Sequence, residues 1–78
     1  MPMLQVEVSN ETAAVLAKLA QRCTEADEER NGATTHGPLD TAGLMAMLAE
    51  DAAMVISRPG AWEASGMAQH LAAHGYEV

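Results

Sequence analysis

Leu4, Val6 and Val8 alternate with Gln5 and Glu7 at the start of the chain. A period of two predicts a short half-buried strand over residues 3–8. Ser9 and Asn10 are good helix caps, and Glu11 is placed well for a first turn. The period then changes to that of a helix running from about Asn10 to about Arg30. Leu16, Leu19, Ala20, Cys23 and Ala26 share its apolar face, and Lys18, Arg22, Glu25 and Glu29 lie opposite. Asp27 returns to the apolar face, so burial should end near Ala26 and the last turns should project into solvent. Asn31-Gly32 supplies a C-terminal stop.

Residues 31–38 form a loop, and a second helix follows from about Asp40 or Thr41 to Ile56. On its wheel Leu44, Leu48 and Val55 cluster, with Met45, Ala52 and Ile56 beside them and Met47 and Met54 flanking. Only Glu50 and Asp51 are charged in this helix, so it is either central or shared with a partner. Ser57-Arg58-Pro59-Gly60 breaks the chain. The third helix ends at His74, with Gly75 as its stop, and carries a stripe of Ala64, Met67, Ala68 and Leu71. Trp62 falls opposite that stripe, so either the regular helix begins near Ser65 or the indole is exposed at a contact. Gly75-Tyr76-Glu77-Val78 alternates again and is a candidate partner for residues 3–8. The expected fold is therefore α+β and mainly helical. It has a short N-terminal strand, three helices and a candidate short C-terminal strand, all in a single domain spanning residues 1–78.

Charge narrows the functional classes. Eleven acidic residues face four bases, Lys18, Arg22, Arg30 and Arg58, for a net charge of -7. Nucleic-acid binders neutralise phosphates with Lys and Arg. Four scattered bases build no basic stripe, so direct nucleic-acid binding and anionic membrane surfaces are excluded as partners. An acidic surface suits a basic protein surface instead, such as a nucleic-acid channel. Cys23 is the only cysteine, which leaves no intrachain disulfide and no cysteine cluster for zinc. No basic-then-apolar leader precedes the first element, and the chain reads as cytoplasmic.

The densest feature is Glu25, Asp27, Glu28 and Glu29. Glu25 repels Glu28 and Glu29 at helical spacing, and carboxylates near a helix C-terminus oppose the macrodipole. Acids kept where helix physics disfavours them mark either a solvated helix end or a patch for basic side chains. Glu50 and Asp51 are the second acidic site. Asp51 is expected at the edge of its helix's apolar face, or buried with a partner such as Arg58 or an outside cation. His70 and His74 have a spacing that suits one metal, but no third ligand is evident unless folding brings in His36, and no metal or cofactor is expected. Cys23 and the six methionines read as core residues. No catalytic constellation appears, so the chain is expected not to be an enzyme.

Three resemblances bear on function. Residues 4–30, opening Leu-Gln-Val-Glu-Val-Ser-Asn-Glu-Thr-Ala-Ala-Val-Leu-Ala-Lys-Leu-Ala, resemble the strand and first helix of ribbon-helix-helix regulators. That family's dimers read DNA with outward strand residues, here Gln5 and Glu7. Leu39-Asp40-Thr41-Ala42-Gly43-Leu44-Met45 is similar to the start of the prosthetic-group helix of acyl carrier proteins. Pro38, however, stands where the modified serine would be, which excludes carrier function. In size, charge and lack of motifs the whole chain resembles phage-encoded anti-CRISPR inhibitors. Some of those cover the positively charged DNA path of a type I surveillance complex, and the location implied is the bacterial host cytoplasm.

The expected function is a non-enzymatic acidic inhibitor that binds a positively charged, nucleic-acid-binding surface of a partner protein. A subunit of a CRISPR surveillance complex is the partner this resemblance implies. The expected contacts are Glu25, Glu28, Glu29, Glu50 and Asp51. The alternative is a dimeric ribbon-helix-helix-type regulator or antitoxin. Because each outer helix offers an apolar stripe to the central one, a monomer is favoured over a homodimer.

Overall fold

Ser9 starts the first helix in the computed structural model, which describes residues 2–78. Its backbone is extended, its side-chain oxygen accepts from the Thr12 N–H at 3.0 Å, and its carbonyl takes the first helical bond from Ala13 at 3.0 Å. One orphan donor of the first turn is thereby satisfied. Three helices follow: α1 (Asn10–Glu29), α2 (Thr41–Ser57) and α3 (Trp62–Ala73).

Among the described residues there is no strand, so the fold is helical and not α+β. Residues 2–8 are irregular, and Leu4, Val6 and Val8 are exposed. Alternation alone does not make a strand, because a strand is held by a ladder to a neighbour. The end of the chain is committed elsewhere. The Tyr76 N–H donates to the Leu71 carbonyl at 2.9 Å and the Gly75 N–H to that of Ala72 at 2.9 Å. Gly75 at φ 94 makes this reversal. The pair is a Schellman cap that folds residues 75–76 back over the last turn of α3.

The chain divides into two units, Met1–Ala42 and Gly43–Val78. In the first, α1 also closes with a Schellman cap. Asn31 stands at φ 53, its N–H donates to Glu28, and the Gly32 N–H donates to Asp27 at 2.9 Å. The loop after the cap returns along α1. Thr24 Oγ1 accepts from the Leu39 N–H and donates to the Leu39 carbonyl, both at 2.9 Å. Thr34 donates to the Asp27 carboxylate in a short hydrogen bond and accepts from the Gly37 N–H at 3.1 Å.

Those bonds decide which side of α1 is inside. Ala20 and Asp27 are buried and Leu16, Cys23 and Thr24 half-buried, whereas Leu19 and Ala26 are exposed. The inner face thus keeps Leu16, Ala20 and Cys23 of the expected stripe and is rotated toward Thr24 and Asp27, away from Leu19 and Ala26. The last turns of α1 do not project freely either, because the 34–39 loop covers their Thr24–Asp27 side.

In the second unit Leu44 is buried, and Met47, Leu48, Asp51, Met54 and Val55 are half-buried along one side of α2. Met45, Ala52 and Ile56 are exposed. Pro59 and Gly60 are central in the turn that links α2 to α3, which the Ala61 N–H closes onto the Arg58 carbonyl at 3.0 Å. Proline sets the φ that the first central position of such a turn requires. On α3 the stripe falls as expected: Ala64 is buried, and Met67, Ala68 and Leu71 are half-buried. Regular helix begins at Trp62, whose ring is 74% exposed, so of the two expectations for this residue the exposed one holds.

Candidate acidic interaction surface

The C-terminal half of α1 sorts its four clustered carboxylates into two roles. A helix turns 100° per residue, so Asp27 leaves the side occupied by Glu25 and Glu29, which stand one turn apart. Asp27 is 5% exposed and is used by the fold to hold Thr34. Glu25, Glu28 and Glu29 are exposed. Among the described residues none of the three has an ion pair, and the only side-chain bond is a long one, 3.4 Å from Gln21 to Glu25. The last turn contains no basic residue.

Three carboxylates at this end face both their mutual repulsion and the partial negative charge of the last carbonyls. The Schellman cap reduces the second cost, because the Asp27 and Glu28 carbonyls already accept from Gly32 and Asn31. A well-capped end, with Arg30 as its cap residue, therefore presents three exposed carboxylates that form no ion pair among the described residues.

Glu50 and Asp51 lie on α2 in the second unit. Glu50 is exposed. Asp51 is half-buried on the apolar side, the edge position expected of it, and has no ion pair with Arg58. Glu25, Glu28 and Glu29 thus share one helix end in the first unit, and Glu50 and Asp51 are neighbours on α2 in the second.

Other candidate chemistry is spare. The His70 and His74 rings meet edge to face with centroids 4.9 Å apart. Among the described residues no group of three potential metal ligands occurs. Cys23 is a free, half-buried thiol. No described helix is long and apolar enough to cross a membrane.

Two exposed apolar features stand beside the acidic groups, and of their apolar residues only Trp62 had exposure among its expectations. One is a groove of about 260 Å³ along α1, lined by Val15, Lys18, Leu19 and Arg22. Their i, i+3, i+4, i+7 spacing is visible in the sequence, but the returning loop had to choose the inner face before this one could be recognised as outer. The other is Ile56 and Trp62, 84% and 74% exposed on either side of the α2–α3 turn.

No protein-family model, no curated protein and no solved structure matches this chain.

Proposed function

We propose that this chain is a non-enzymatic binding protein whose acidic surface occupies a positively charged nucleic-acid path on a partner protein. An inhibitor of DNA binding by a type I CRISPR surveillance complex is the specific form of that reading. One observation carries it. Of the four carboxylates between residues 25 and 29, the fold consumes only Asp27, and Glu25, Glu28 and Glu29 stand exposed and unpaired at a capped helix end. Net charge supports it: eleven acids against four bases attract a basic surface and repel nucleic acid. The ribbon-helix-helix reading would set Glu7 against DNA phosphates in a chain of net charge -7, so the acidic surface is preferred.

The test replaces Glu25, Glu28 and Glu29 together with Gln, which keeps size and helix propensity. Competition with target duplex for a purified type I surveillance complex is then measured at several salt concentrations. The parent chain should displace DNA, less well as salt rises. The triple variant should associate more slowly, since charges at the rim act mainly on the on-rate. Equal competition by a folded triple variant would remove this cluster from the interface. Failure of the parent to compete would sink the surveillance-complex reading itself.

A further inference from the structure

The outer face of α1 is apolar where the helix is not covered. Val15 is 59% exposed and Leu19 45% exposed, and with Lys18 and Arg22 they line the groove. Two of the chain's four bases sit on this stripe, in a molecule of net charge -7. At 100° per residue Glu11 falls on the same side of the helix, one turn before Val15. From Glu11 to Arg22 the stripe therefore runs from an acid, through Val15, to two bases that flank Leu19, with Glu25 and Glu29 following beyond.

We propose that this face docks a second copy of the same chain, α1 against α1 and antiparallel, around a twofold axis near Val15. A twofold interface must be self-complementary: what stands at one end must suit what stands at the other. The α1 stripe meets that condition. With Val15 near the axis, each Leu19 lies opposite the partner copy's Thr12, which extends the apolar strip to both sides. Each Glu11 then lies opposite the stretch between Lys18 and Arg22. Reversing the chain direction thus turns one acid and two bases into two equivalent sites of opposite charge. A parallel arrangement in register would put like charges together. In an antiparallel pair residues on the same flank of the two helices meet, and Glu11, Lys18 and Arg22 share a flank.

The occupant is argued from charge. A groove with Lys18 and Arg22 on one edge favours an amphipathic helix bearing a carboxylate, and this chain supplies such a helix at equal concentration. Glu25 and Glu29 continue this side of α1 about one and two turns beyond Arg22, but the docking residues Glu11, Val15, Lys18, Leu19 and Arg22 include none of that patch, and the inference does not depend on the function proposed above. One helix pair is a small interface beside the usual size of stable ones, so the association should be weak and concentration-dependent.

Sedimentation velocity on the full chain over a concentration series tests this with two charge-reversed proteins. One carries Glu11→Lys; the other carries Lys18→Glu and Arg22→Glu. The parent chain should dimerise reversibly. Each variant alone should associate about tenfold more weakly or not at all, because two attractive sites become two repulsive ones. An equimolar mixture of the two variants should form a heterodimer, since every 11-to-18/22 pairing is again opposite in sign. Recovery in the mixture also shows that both variants are folded. A parent chain that stays monomeric throughout the series overturns the proposal. So does a dimer that neither variant weakens, or a mixture that fails to associate.

Discussion

Asp27 is the residue on which the first unit turns. A carboxylate this buried must be hydrogen-bonded to be tolerated, and it accepts from Thr34 while its backbone carbonyl accepts from Gly32. Asp27→Ala leaves the Thr34 hydroxyl without its acceptor beside a small void. It should destabilise the chain by about 1–3 kcal/mol, the usual cost of stranding a buried polar partner. Glu28→Ala, one position on but exposed, should change stability by less than about 0.5 kcal/mol. Urea midpoints of the two variants give the comparison. If they coincide, the Asp27–Thr34 bond does not hold the loop to the helix. Adjacent acids in one run thus have different duties, and the difference lies in which way each side chain points.

Among the elements, α3 shows how one residue type reverses its effect with position. Gly75 holds φ 94 in the Schellman cap, and Gly66 lies in the helix interior. At both, no atom lies within 4 Å of where a Cβ would stand, so only backbone energetics distinguish them. Gly75→Ala forces a Cβ into a left-handed conformation and should cost about 1–2 kcal/mol. Gly66→Ala removes the entropic cost of glycine in a helix and should gain about 0.5–1 kcal/mol. Thermal melts followed by circular dichroism should move in opposite directions. A gain at both positions would mean that residues 75–76 do not cap the helix.

For the whole molecule, charge is the property with the widest reach. Only four bases are present, and two of them, Lys18 and Arg22, line an otherwise apolar groove. No basic stripe is left for phosphates, so duplex DNA should stay free in a gel shift at low salt and high protein concentration. A specific, salt-sensitive shift would contradict this and revive the DNA-binding alternative. The acidic patch and the α1 groove lie in the same unit but differ in chemistry: one is a set of unpaired carboxylates, the other a mixed apolar and basic strip.

Local signals were enough to determine the three helices. Ser9, Asn31-Gly32, Pro59-Gly60 and Gly75 act through a few neighbouring backbone bonds, so they are legible wherever they occur in a chain. The stripe on α3 was legible for a related reason, since few other positions on that helix are large and apolar. The exposed position of Glu25, Glu28 and Glu29 also followed from spacing, because charged side chains with no partner stay in water. Pairing and facing were another matter. Leu4, Val6 and Val8 have the alternation of a strand, but a strand exists only where a second ladder meets it, and Tyr76 spends its N–H on Leu71. Leu19 and Ala26 were plausible core residues by period. Tertiary structure decided otherwise, because Thr24 and Asp27 bond to a loop seven to fifteen residues further on and turn their own side of α1 inward. Helical period defines stripes, and α1 has two that are serviceable. Only the tertiary contacts, among them the long-range hydrogen bonds of Thr24 and Asp27, select which is buried and which is exposed.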